Sequence, residues 1–182
     1  KYIDIYKENG KVVSARVNMG APILKSRDIP ALFDSDTVID LPLKVGAKSY
    51  RVTCLSMGNP HCVVFSNDAD SVNIQKTGPE FENHPAFPDR INTEFVQPLS
   101  GSRIKMRVWE RGAGETLSCG TGACAAAAAC ILNGYCKRDT DITVTLRGGE
   151  LSVNWSADGA VYLTGSAATV FTGEIACCGG AR

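Results

Sequence analysis

Residues 114–132 read GETLSCGTGACAAAAACIL, and the fold turns on that stretch. From Cys119 onward nearly every residue is small, and alanine is the best helix former. Asn133-Gly134 follows as a stop, because glycine takes the left-handed conformation that ends helices. A helix is therefore expected over Cys119–Gly134. With alanine on nearly every face, neighbours can approach it closely from all sides. The expected architecture is a central helix wrapped by a curved sheet, an α+β barrel-like domain.

The flanking sequence supplies the strands. YIDIYKENGKVVSARVNM, residues 2–19, reads as a hairpin turning at Asn9-Gly10, the strongest short hairpin signal. LPLKV, SYRVTCLSM, HCVVF, INTEFVQPL and RIKMRVWER are rich in β-branched and aromatic residues and read as strands. DITVTLR, GELSVNW, AVYLTG and ATVFTGEI read as four closing strands. SRDIPALF suggests one short helical turn. Residues 70–87 suggest a short helix and a loop broken by Pro79 and Pro85. No internal repeat or low-complexity linker stands out.

Composition narrows the function classes. The chain has 182 residues, 44% of them hydrophobic, with 19 basic and 19 acidic side chains. That balance argues against nucleic acid or an anionic membrane as the main partner. No apolar run reaches membrane-spanning length, and KYIDIYKENG has no signal-peptide pattern. The chain opens on Lys1 inside a strand-like run, so a processed or partial chain is expected.

There are eight cysteines. Cys54 and Cys62 sit in strand-like runs and are expected as buried, reduced thiols, which points to the cytoplasm. Structural zinc is not expected. The sequence has no C-x-x-C, and Cys124, Cys130 and Cys136, spaced by six, would face different sides of one helix. Cys177 and Cys178 receive no role.

Cys119 carries the chemistry. A helix N-terminus offers unpaired N–H groups and about half a positive charge, and both stabilise an anion. A thiol placed there is expected to have a lowered pKa. Gly120 and Gly122 admit a ligand to the backbone, and Thr121 adds a hydroxyl. Cysteine is a poor cap, and Ser118 beside it is a better one, so the cysteine reads as functional rather than as a helix start.

Other candidates stand in loops and at strand ends. MGNPHCVVF places Asn59 and His61 in a Gly-Pro loop before a strand. VWERGAGET places Glu110 and Arg111 at a strand end, ahead of a glycine loop leading into Cys119. Arginine there suits a carboxylate. Asn92 opens the strand in DRINTEF.

Together GNPHCVVF, RINTEFVQ, VWERGAGETLSCGTGACAAAAA and the hairpin's VNMGAP span most of the chain and resemble the diaminopimelate epimerases, with ERGAGETLSCGTGACA the highly specific joint. The resemblance implies that family's fold, with a mixed or antiparallel curved sheet around the central helix. It also implies pyridoxal-independent, cofactor-free interconversion of L,L- and meso-diaminopimelate in lysine and peptidoglycan biosynthesis. Cys119 is then one of two catalytic thiols. Gly120 and Thr121 bind the α-carboxylate. Asn59, Asn92 and Arg111 recognise the substrate, mainly at its distal end. Glu110 and His61 support the cysteines and the α-amino group.

Inversion at a carbon needs an acid/base group on each face, yet only one Cys-Gly-x-Gly helix start occurs. The chain therefore resembles the C-terminal half of such an enzyme, with residues 1–182 forming one domain. Residues 1–19 and 165–182 are expected as strands that pack on, or belong to, the missing N-terminal half. That half or a second copy is the expected partner. A homodimer, and an inactive chain when alone, are expected. The competing expectations are a proline or hydroxyproline racemase of the same fold and a non-catalytic, self-associating fragment.

Overall fold

A computed structural model of the chain describes residues 2–175. Its strands are β1 (Ile3–Glu8), β2 (Lys11–Gly20), β3 (Val38–Val45), β4 (Lys48–Ser56), β5 (Pro60–Phe65), β6 (Asn92–Ser100), β7 (Arg103–Glu110), β8 (Gly114–Thr116), β9 (Ile142–Leu146), β10 (Gly149–Trp155) and β11 (Val161–Ser166). The α-helices are α1 (Ile74–Glu82) and α2 (Gly120–Leu132). The strands form one sheet in the order β1-β2-β11-β10-β9-β7-β6-β5-β4-β3, with β8 paired to β7. It is mixed: β5 runs parallel to β6 and β7 parallel to β9, while the other pairs are antiparallel.

Helix α2 packs against β4, β5, β6, β7, β9, β10 and β11. Seven neighbouring strands of a flat sheet would span about 29 Å, far wider than a helix of about 10–12 Å. The sheet must therefore curl around α2, as the alanine run predicts. Residues 123–130 of α2 are almost completely buried. With no side chain larger than a cysteine in that run, each strand can come close.

The sheet buries both faces, and strand alternation sorts its residues between them. Leu55, Val63, Val96, Ile104, Met106 and Val108 join α2 in one core. Val52, Cys54, Cys62, Val64 and Phe95 join Ile74 and Phe81 of α1 in the other. His61 and Glu94 fall on the α2 side of this alternation, in phase with Val63 and Val96. Cys54 and Cys62 are buried directly opposite one another on β4 and β5, as expected for strand thiols.

The hairpin turns where expected, with Asn9 and Gly10 at φ +49° and +78°. At the other end of α2, Asn133 is the C-cap and Gly134 takes φ +79°. The Asn133 amide donates to Ala129 O at 2.8 Å and to Thr53 Oγ1 on β4 at 2.9 Å. Asn133→Ala removes both bonds and leaves a buried hydroxyl with fewer partners. It should cost about 1–2 kcal/mol, read as a lower urea midpoint.

Four expectations need correction. Residues 167–175 contain no strand, so ATVFTGEI does not close the sheet; residues 176–182, including Cys177 and Cys178, lie outside the described residues. Pro79 lies inside α1 rather than ending it. The glycine loop before Cys119 is partly a strand, because Gly114–Thr116 pairs with β7. Cys136 is not on the long helix: the chain reverses at Gly134, and Cys136 N–H reaches Cys130 O at 3.3 Å. The two thiols therefore act on each other instead of facing apart, Cys136 holding Cys130 well above the usual thiol range.

Candidate active site

Cys119 is the N-cap of α2. Its backbone is extended, φ −136° and ψ 110°, and its Sγ accepts the Gly122 N–H at 3.4 Å. The cap is thus the cysteine itself and not Ser118, because only the residue whose side chain folds back over the first turn can reach that N–H. The residue is only 6% exposed.

A chain of polar contacts converges on this sulfur. Thr121 Oγ1 lies 3.6 Å from Sγ. Asn59 Nδ2 donates to Thr121 Oγ1 at 3.2 Å, and Asn59 Oδ1 lies 3.1 Å from His61 Nε2. His61 Nδ1 meets Glu94 Oε1 at 2.7 Å, with both side chains wholly buried. The register of parallel strands β5 and β6 sets Asn92 opposite His61 and Glu94 opposite Val63, so His61 and Glu94 are diagonal neighbours on the face that meets α2.

The remaining candidates cluster at the turn after β7. Glu110 Oε1 accepts the Thr116 hydroxyl at 2.5 Å. Asn92 uses its whole amide on main chain: Nδ2 donates to Pro60 O at 3.0 Å, and Oδ1 accepts the Arg111 N–H at 2.9 Å. It therefore joins the loop carrying Asn59 to the loop carrying Arg111. Arg111 Nη1 donates to Asp89 O at 2.7 Å. Buried Glu82, at the end of α1, accepts the Gly112 N–H at 2.9 Å and the Trp109 indole N–H at 2.7 Å. Helix α1 approaches Trp109 so closely that a Cβ on Gly78 would stand 2.3 Å from the ring.

The expected lowering of the Cys119 pKa does not occur. Burial comes first in pushing the thiol up to about 11, and the negative field of Glu94 adds to it; the Thr121 hydroxyl and Gly122 N–H pull the other way, and Glu110 raises it further. The helix-start N–H is present, but desolvation of a thiolate outweighs it. At neutral pH Cys119 is a thiol.

Glu94 was missed in the sequence. The available signal was only an acidic side chain inside the apolar strand NTEFV. Burial raises its pKa, against the lowering influence of His61. Among the described residues, no three His, Cys, Asp or Glu side chains group as a metal site. No described helix is long and apolar enough to cross a membrane.

Sequence profiles of the family described as diaminopimelate epimerase match residues 53–170. The diaminopimelate epimerase of Desulfovibrio desulfuricans is 48% identical over 181 residues, covering 96% of this chain and 62% of the relative. That of Pelotomaculum thermopropionicum is 50% identical over 171 residues, covering 94% and 60%. The chain thus spans about three-fifths of the length of these relatives. Among solved structures, a probable proline racemase from Agrobacterium radiobacter K84, with bound carbonate, is similar at TM-score 0.64 and 14% identity, over 96% of this chain and 56% of that one. That likeness concerns the fold alone.

Proposed function

The chain belongs to the diaminopimelate epimerase family, and we propose that it contributes one of two acid/base thiols that interconvert L,L- and meso-diaminopimelate without a cofactor. The observation that carries this reading is the Cys119 sulfur at the α2 N-cap, with Thr121, Asn59, His61 and Glu94 linked behind it.

An amino-acid Cα–H is a very weak acid. The charge left when it departs must be taken up by the adjacent carboxylate. The first turn of α2, at Gly120 and Thr121, offers N–H groups for that carboxylate in a site shielded from water. A base on the far face removes the α-proton, and the Cys119 thiol delivers its own to the near face. In the reverse direction Cys119, as thiolate, takes the proton back. Glu110 and His61 support the sulfur and the α-amino group. Arg111 and Asn59 receive the distal amino-acid end, and Asn92 holds the Pro60 and Arg111 main chains that frame it.

The far-face base is supplied by a segment matching the part of the relatives that this chain does not span. Tyr2, Ile3, Ile5, Tyr6 and Val12 of the first hairpin are exposed apolar side chains, suited to packing on that segment or on a second copy in a cytoplasmic homodimer. Residues 165–175 are assigned to the same interface.

The test is α-proton exchange in D2O, followed by proton NMR. L,L-diaminopimelate with the chain alone should show neither deuterium uptake nor meso product. Adding the N-terminal segment of the Desulfovibrio relative should produce both, while L-proline remains unchanged. Turnover by the chain alone would remove the need for a second segment. Turnover of proline would move the site to the racemase reading. A stable oligomer with no turnover in either arm would leave a non-catalytic fragment.

A further inference from the structure

Glu94 is a carboxylate on a central strand with none of its surface exposed. Its Oε1 meets His61 Nδ1, and its Oε2 has no hydrogen-bond partner among the described residues. Leaving a buried carboxylate oxygen unpaired is costly, so stability alone does not explain this residue. Unsatisfied buried groups of this kind gather where function retains them.

The hydrogen-bond directions constrain the proton on His61. Asn59 uses its Nδ2 on Thr121, so the atom facing His61 Nε2 is the carbonyl Oδ1, an acceptor. Nε2 must therefore carry hydrogen. On the other side of the ring, Nδ1 and Glu94 Oε1 at 2.7 Å must share one further proton, whichever of them holds it. Were Glu94 unable to hold or share a proton, this arrangement would break. Glu94 also lies against the first turn of α2: a Cβ on Gly122 would stand 2.8 Å from Oε1 and 3.2 Å from Cys119 Sγ.

We propose that Glu94 is a positioning residue for the Cys119 thiol, fixing the His61 tautomer and through it the Asn59–Thr121 contact, while its charge faces the sulfur across the first turn of α2. Glu94 on β6 and Glu110 at the end of β7 both oppose thiolate formation at the sulfur. Whenever Glu94 is charged, the shared proton leaves His61 as its cationic partner, which reaches the sulfur only through Asn59 and Thr121. Glu94 thereby keeps Cys119 in the proton-giving form until substrate enters. The relevance to turnover rests on the epimerase reading; the positioning of sulfur and imidazole does not.

The test is Glu94→Gln, which keeps shape but not charge, with two readouts that need no substrate. The first is the rate of Cys119 alkylation by iodoacetamide at pH 8, resolved by peptide mass spectrometry. Each unit by which the thiol pKa falls is a tenfold gain in thiolate, and E94Q should react at least about fivefold faster. The second is the ring ¹⁵N signature of His61 between pH 6 and 9. In the original chain Nε2 should stay protonated throughout, and in E94Q Nδ1 should become a bare acceptor. An unchanged alkylation rate in E94Q, or a bare Nε2 in the original chain, overturns the proposal. If E94Q does not fold, the wild-type ¹⁵N spectrum still decides. In the assembled enzyme the same variant should lower kcat by about 10- to 100-fold with KM nearly constant, following the penalty seen for lost supporting hydrogen bonds. A changed Cys119 rate with no turnover in either protein would leave the positioning role standing and remove the epimerase reading.

Discussion

Cys119→Ser, in the enzyme assembled with the segment that supplies the far-face base, should lower kcat for L,L-diaminopimelate by about 10²–10⁴, the usual worth of a positioned proton-transfer group. Serine keeps the cap, since its oxygen can accept the Gly122 N–H as the sulfur does. The fold should therefore survive and KM should change little. What is lost is acidity: a hydroxyl cannot cycle between proton giver and proton taker near neutral pH. Burial and Glu94 push the Cys119 thiol up to about 11, which gives the variant a second signature. A thiol raised on folding from the ordinary 9.0 favours the protonated, folded state. That contribution is complete below about pH 9 and is lost as pH rises from there through about 11. The original chain should lose stability over that window more steeply than C119S, as measured by urea midpoints at pH 8 and 10.5. Equal slopes would place the alkaline sensitivity on the other buried thiols, Cys62 and Cys130, which are also raised.

The central helix, the hairpin and most of the strands were legible because each is written in local terms: alanine at every face, Asn-Gly at a turn, β-branched runs of strand length. The curl of the sheet was legible for the same reason, since a helix without large side chains has no single face to bury. The ends were not. ATVFTGEI has strand composition, but no described residue past Ser166 forms a strand, and β-propensity alone does not make one. Three-residue β8 was hidden by its glycines, because its order comes from pairing to β7 and from Glu115. The Glu115 carboxylate sits between Arg107 and Arg147, at 2.9 and 3.0 Å.

The site divides along a similar line. Cys119, Thr121, Asn59 and His61 stand in the motifs that pointed to them, and the fold brings them into one chain of contacts. Two things escaped. Glu94 required knowing that both faces of β6 are covered, a tertiary fact. The acidity of Cys119 came out opposite to expectation, because the helix-end N–H groups are a local feature whereas desolvation and the field of Glu94 depend on the folded surroundings.

Gly122→Ala separates local propensity from tertiary packing more sharply than any other single change. Gly122 lies in the first turn of α2, and by propensity alone alanine there should stabilise by about 1 kcal/mol. The added methyl, however, would lie 2.8 Å from Glu94 Oε1, 3.2 Å from Cys119 Sγ and 3.3 Å from Cys119 Cβ. None of these can withdraw freely. Glu94 is enclosed and bonded to His61, and Cys119 is tied to the very N–H that residue 122 donates. Either the carboxylate leaves His61, or the first turn shifts and takes the sulfur with it. Overpacking of this kind costs about 1–3 kcal/mol, so the net change should be destabilising despite the gain in propensity. In the assembled enzyme the cost should be larger still, because a displacement near 1 Å at a reacting group can reduce the rate about 10²-fold. The measurements are the urea midpoint and kcat of G122A, set beside Gly134→Ala, where φ +79° strains any side chain but no atom stands within 4 Å. Gly134→Ala should lose stability and keep its kcat; G122A should lose both. A G122A protein that is more stable and fully active would mean that the Glu94–Gly122–Cys119 contact is loose, and that the sulfur is held by the helix turn alone.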